Sequence, residues 1–85
     1  MKEFTYTITD PLGLHARPAG KLVQTASKLS SAVALTAKGQ RVNAKQIIAV
    51  MRLCAKQGDP LTFQLEGEEE DRDSLLLEEF CKSSL

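Results

Sequence analysis

The chain has 85 residues, 42% of them hydrophobic and 26% charged. That composition belongs to an ordered globular protein and excludes a disordered or low-complexity one. Eleven Lys and Arg balance eleven Asp and Glu, but the charges are segregated. Residues 1–56 hold nine bases against Glu3 and Asp10, a net of +7, and residues 57–85 hold nine acids against Arg72 and Lys82, a net of −7.

At this length the expectation is one domain spanning residues 1–85, with a modest core that hides roughly two thirds of the unfolded surface. The segregated charge reads either as two solvated faces or as a positive first half that steers acidic partners. Residues 1–6 alternate polar and apolar instead of forming the apolar core of a signal peptide, and no run approaches membrane-spanning length. The expectation is a cytoplasmic protein without membrane insertion.

Phe4, Tyr6 and Ile8 alternate with polar residues, which predicts a strand over 2–8 with one buried face. Asp10-Pro11 and Gly13 break it. Ala19, Leu22, Val23, Ala26 and Leu29 then recur at helical spacing, and Pro18 fits only within a first turn, so the helix starts at about Ala16 with His15 near its N-cap. After Ser30-Ser31, Val33, Leu35 and Ala37 form a second strand, and Lys38-Gly39-Gln40 turns into a short third strand around Arg41-Val42-Asn43.

Asn43 and Gln46 have capping-box spacing for a second helix, and a start nearer Gln46 is equally compatible. That helix carries Ile47, Ile48, Val50, Met51, Leu53 and Cys54. Gly58-Asp59-Pro60 ends the segment, and Leu61, Phe63 and Leu65 alternate as a fourth strand. The acidic run from Glu68 to Asp71 leads into a last helix that carries Leu76, Leu77, Phe80 and Cys81, with the acids complementing the dipole at its start. Cys54 and Cys81 lack metal-ligand spacing and read as reduced, semi-buried thiols.

The element order is βαββαβα. Connection rules make the sheet antiparallel throughout if the fourth strand lies between the first two, giving the order 1-4-2-3. One-sided alternation in the strands puts all three helices on one face, so the fold class is α+β, a two-layer open-faced β-sandwich.

The stretch Gly13-Leu14-His15-Ala16-Arg17-Pro18-Ala19-Gly20 holds the only histidine. A helix start leaves backbone N–H groups unpaired, so those of Ala16 and Arg17, with the Arg17 guanidinium, can hold a phosphoryl group on the ring. Cations around the imidazole favour a neutral, nucleophilic ring. Phosphoryl transfer requires mainly positioning and charge stabilisation, so a small domain can accept and donate the group without a cofactor or metal, relying on partner enzymes to select the donor. Residues 47–54 are apolar except for Arg52, more than one core stripe of a short helix requires, so some of Ile47, Ile48 and Met51 are expected at the surface as a docking patch, ringed by Arg17, Lys45 and Arg52.

This stretch resembles the active-site motif of the histidine-containing phosphocarrier (HPr) family of the bacterial phosphoenolpyruvate:sugar phosphotransferase system. Leu22-Val23-Gln24-Thr25-Ala26-Ser27-Lys28, Val42-Asn43-Ala44-Lys45 and Val50-Met51 extend the resemblance along the chain. It implies that His15 accepts a phosphoryl group on Nδ1 from phosphorylated enzyme I and passes it to the IIA domain of a sugar permease, with Arg17 stabilising the phosphate. It further implies that Gly20, Gln24, Ser27, Ile47, Ile48 and Met51 bind these partners and that the protein is a monomeric carrier, not an autonomous enzyme. The same resemblance covers HPr-like regulators that signal through the His15 phosphorylation state, including a nitrogen-related branch.

Gln46 departs from the pattern. Many Gram-positive members carry a regulatory, kinase-phosphorylated serine there, and glutamine has no hydroxyl to modify. A nucleic-acid-binding domain fits poorly, because Phe4, Tyr6 and Phe63 alternate as core residues do and no RNP-type motif is present. No Ser-His-Asp set, P-loop or metal-ligand cluster stands in the sequence.

Overall fold

A computed structural model describes all 85 residues. The elements are β1 (Lys2–Thr7), α1 (Ala16–Ser27), β2 (Ala32–Ala37), β3 (Gln40–Asn43), α2 (Ile47–Met51), β4 (Pro60–Glu66) and α3 (Glu70–Ser84). The strands pair in the order β1-β4-β2-β3, antiparallel throughout. This is the order expected with the fourth strand between the first two.

Alternation decides the two faces of the sheet. Val33, Leu35, Ala37, Leu61, Phe63 and Leu65 are buried, and Phe4 stacks on its register partner Phe63 with ring centroids 5.1 Å apart. The helices add Ala19, Leu22, Ala26, Val50, Leu77 and Cys81 to the same core. On the open face, Thr5 Oγ1 and Thr62 Oγ1 are 3.1 Å apart, and Gln64 Nε2 donates to Glu3 Oε1 at 2.7 Å. Each of these pairs joins residues opposite one another in the β1–β4 register.

The β2–β3 hairpin closes through Lys38 (φ 52°) and Gly39 (φ 77°), a two-residue turn whose positive φ values match the twist of the strands. At the other end of the sheet, Asp73 pins α3 to the α1–β2 loop. Its buried carboxylate accepts from the Ser31 amide at 3.0 Å and the Ser31 hydroxyl at 2.7 Å, and Arg72 approaches to 3.5 Å. Burial pushes this carboxyl up, but the Ser31 hydrogen bonds and Arg72 outweigh it, so Asp73 is held below its ordinary value.

Several local expectations are corrected. β1 ends at Thr7, and Ile8 is buried with its N–H donated to the Asp59 carbonyl. Of the two starts open for α2, the later one holds: Gln46 is the N-cap, and Asn43 instead closes an Asx turn, its Oδ1 accepting from the Lys45 amide at 2.9 Å. α2 stops at Met51, so Leu53 and Cys54 lie beyond it, with Cys54 in a left-handed conformation (φ 51°) that ends the turn. Cys54 is therefore exposed instead of semi-buried, while Cys81 is fully buried and its thiol is pushed up to about 12 by burial and by Glu78. On α3 the fully buried stripe is Asp73, Leu77 and Cys81, spaced by four, with Phe80 packed against the core beside it and Leu76, about 100° round the helix from Leu77, exposed.

Candidate functional site

The loop from Ile8 to His15 is fixed by its backbone before any ligand is considered. The Thr9 and Asp10 amides donate to the Leu85 carbonyl at 2.9 and 3.0 Å, Gly13 N–H donates to the Asp10 carbonyl at 2.9 Å, and Leu14 N–H donates to the Ala55 carbonyl at 2.9 Å. Gly13 makes the last contact possible. It has φ 69°, and a Cβ there would stand 2.6 Å from the Ala55 oxygen and 2.8 Å from Lys56 Cα. The chain N-terminal to α1 is thus clamped against the α2–β4 connection.

His15 is the N-cap of α1 in extended conformation, and its carbonyl accepts the first helical bond from Ala19 N–H at 3.0 Å. Its ring makes no capping bond, so it is not consumed by the helix. The N–H groups of Ala16 and Arg17 have no acceptor, and Pro18 at the third helical position has no N–H to satisfy. Two donors and the positive end of a twelve-residue helix therefore face the region of the imidazole.

The ring is 37% exposed and borders an open depression of about 370 Å³ lined by Asp10, Arg17, Pro18, Lys21, Ser83 and Ser84. Arg17 and Lys21 are exposed and form no ion pair, so both cations are available to an anion at the ring. The surroundings are not purely cationic, however. Asp10 Oδ2 lies 3.6 Å from His15 Nε2. Sequence reasoning missed Asp10, Lys21, Ser83 and Ser84; the serines arrive from the far end of the chain, while Lys21 carries the signal of standing one turn beyond Arg17 on the same helix.

Beside this site, Gly20, Gln24 and Ser27 form a row along α1, with Gln24 and Ser27 exposed and Gly20 half-buried. On α2, Ile47, Ile48 and Met51 are 36%, 62% and 40% exposed, which marks them as surface, while Val50 is buried beneath them. Arg52 is exposed and unpaired. Lys45 does not join this ring: its ammonium donates to the Leu29 carbonyl at 3.0 Å, just past the C-terminal end of α1, about 18 Å of helix away from His15. Gln46 is exposed and its side chain makes no capping bond.

No group of three or more His, Cys, Asp or Glu side chains is gathered as a metal-ligand set, and no helix is long and apolar enough to cross a membrane. An open α+β sandwich with a half-exposed imidazole at a helix start defines a protein that presents chemistry to others on its surface, without an enclosing pocket of its own.

The comparisons give that class its family. Residues 2–83 match the family model described as "PTS HPr component phosphorylation site". A phosphocarrier protein HPr of Xylella fastidiosa is 50% identical over 70 residues, 82% of this chain and 79% of the relative. The crystal structure of an HPr from Thermoanaerobacter tengcongensis superposes with a TM-score of 0.92 at 40% identity, covering 99% of this chain and 94% of that one. An HPr dimer from the same organism gives a TM-score of 0.76 at 41% identity, over 98% of this chain and 95% of that one. The chain belongs to the HPr family. Its function is that of a phosphocarrier in the phosphotransferase system.

Proposed function

We propose that His15 is the residue that carries the phosphoryl group, taking it on Nδ1 from phosphorylated enzyme I and delivering it to the IIA domain of a sugar permease. The observation that carries this reading is the start of α1. There the half-exposed imidazole shares its end of the helix with two unpaired N–H groups and with the unpaired Arg17 and Lys21. A phosphoryl group on the ring gains charge-assisted hydrogen bonds from the Ala16 and Arg17 amides and the Arg17 side chain. The exposed Ile47, Ile48 and Met51, with Gly20, Gln24 and Ser27 on α1, form the docking face, an apolar centre among cations that suits acidic partner surfaces.

In this reading the chain is a substrate of its partner enzymes, works in the cytoplasm as one domain without a cofactor, and presents His15 as a monomer to donor and acceptor in turn. Gln46, exposed at the α2 N-cap, offers no hydroxyl to a serine kinase. The test is a relay. Phosphoenolpyruvate, enzyme I and a panel of IIA domains are supplied, and phosphate is followed through the chain into each acceptor. Transfer into sugar-permease IIA domains that disappears with His15→Ala is expected, as is transfer slowed roughly 10²-fold in a folded Arg17→Ala chain. Transfer confined to a nitrogen-related acceptor, or surviving in His15→Ala, overturns the proposal.

A further inference from the structure

We infer that Asp10 is a positioning residue for phosphoryl transfer, its carboxylate holding the His15 ring by the Nε2 edge so that the proton stays on Nε2 and the lone pair is presented on Nδ1. This rests on the reading of His15 as the phosphoryl acceptor. The carboxylate is itself held in place. Its Oδ1 accepts from the Leu12 amide at 2.9 Å, the Asp10 carbonyl accepts from Gly13 N–H at 2.9 Å, and the Asp10 amide donates to the Leu85 carbonyl at 3.0 Å. The second oxygen, Oδ2, is left over from this turn and stands 3.6 Å from Nε2. A ring movement of about half an ångström closes that gap to hydrogen-bond length, the tightening common when a resting site is engaged.

The consequence lies in which nitrogen reacts. In a neutral imidazole one nitrogen donates and the other accepts, and a carboxylate at Nε2 can only accept, so it selects the form with N–H at Nε2 and a lone pair at Nδ1. When that lone pair forms the N–P bond, the donor's bond to phosphorus breaks and its electron pair stays with the donor. The ring then carries a positive charge, because Nε2 keeps its proton, and Asp10 faces that charge. On delivery a lone pair of the acceptor forms the new bond to phosphorus, the N–P electron pair returns to Nδ1, and the ring is neutral again with Nε2 still protonated. Asp10 touches neither phosphorus nor the attacking atom, so its effect runs through the ring.

The test compares the full chain with Asp10→Asn, whose side-chain oxygen still accepts the Leu12 N–H but which has no carboxylate to offer the ring. Asp10→Ser, which retains a short acceptor for that turn, serves as the second variant. In the unphosphorylated ¹⁵N-labelled proteins, two-bond nitrogen–proton correlations read which ring nitrogen bears the proton. With phosphorylated enzyme I as donor, single-turnover phosphorylation of His15 gives the rate at saturating donor and the half-saturating concentration separately. Both variants are expected to show a loss of Nε2–H preference together with a saturated rate lowered roughly 10- to 100-fold, the size of effect seen when the carboxylate behind a metal-bound imidazole is removed. The half-saturating concentration should not change. An unchanged nitrogen pattern, an unchanged saturated rate, or an effect confined to half-saturation overturns the inference. Failure of the parent chain to be labelled at His15 overturns the acceptor reading instead, and the spectra of the unphosphorylated proteins still report on Asp10.

Discussion

Replacing Gly13 by alanine should destabilise the fold through the loop that carries His15. Gly13 has φ 69°, where an L-residue costs about 1–2 kcal/mol. The added Cβ would also stand 2.6 Å from the Ala55 oxygen and 2.8 Å from Lys56 Cα, both backbone atoms that cannot rotate aside. Relief requires the loop to lift from the α2–β4 connection. That movement stretches the 2.9 Å bond from Leu14 N–H to the Ala55 carbonyl, worth about 1 kcal/mol, and overpacking adds about 1–3 kcal/mol. The whole effect is roughly 3–6 kcal/mol, or a lowering of Tm by roughly 12–48 °C at about 4–8 °C per kcal/mol for a domain of this size. Gly39→Ala is the internal control, because Gly39 has φ 77° with nothing within 4 Å of its missing Cβ, so only the conformational cost of about 1–2 kcal/mol applies. Urea and thermal unfolding of the two variants measure the difference. If Gly13→Ala proves no less stable than Gly39→Ala, the claim that a backbone clamp holds the His15 loop is wrong.

Asp73→Ala should cost about 1–3 kcal/mol, because it leaves the buried Ser31 hydroxyl and amide without their acceptor. Since the Asp73 carboxyl is held below its ordinary value, its contribution is fully present above the unfolded carboxylate range. It is lost as pH falls through the lowered native value, so the stability gap between parent and variant should narrow below about pH 4; a gap independent of pH contradicts the assignment. Thiol labelling of the native chain should modify Cys54 and spare Cys81, whose thiol is buried and pushed up to about 12, with Cys81 reacting only on unfolding. Two equally fast thiols would refute that burial. Ile48→Asp, at the most exposed position of α2's apolar face, should weaken enzyme I and IIA binding about tenfold or more while shifting stability by less than about 0.5 kcal/mol. Titration calorimetry and urea unfolding together separate the two effects.

The sheet was legible because its signal is local and repeated. Alternation in three strands, one strong turn at Lys38-Gly39 and the connection rules make an antiparallel sheet consistent, and the order with the fourth strand between the first two is the one the structure has. The start of α1 was legible for a similar reason, since Pro18 and the apolar spacing that follows it allow few registers. What escaped depends on where long side chains turn once the fold exists. Lys45 reads as a member of a cationic ring, but its ammonium finds the carbonyl of Leu29 at the opposite end of α1. Asp10 reads as a strand breaker, and only the Asx turn onto Leu12 reveals that its second oxygen is left facing Nε2. Ser83 and Ser84 reach the depression because α3 runs back along β1 and ends beside the His15 loop, a placement no window of sequence contains. Cys54 shows the limit of counting apolar residues, and Leu76 shows that an apolar residue on a helix need not belong to its buried stripe. α3 needs only a narrow stripe at spacing four, and α2 is too short to carry a thiol inward from position 54.

The central claim is that one imidazole at the start of α1 holds the phosphoryl group. Its most direct test is the intact mass of the chain after incubation with phosphoenolpyruvate and enzyme I, recorded before and after mild acid and repeated with His15→Ala. The expected result is a single added phosphoryl group that acid removes and that never forms on the variant. An acid-stable adduct, or one that persists when His15 is replaced, would contradict the account.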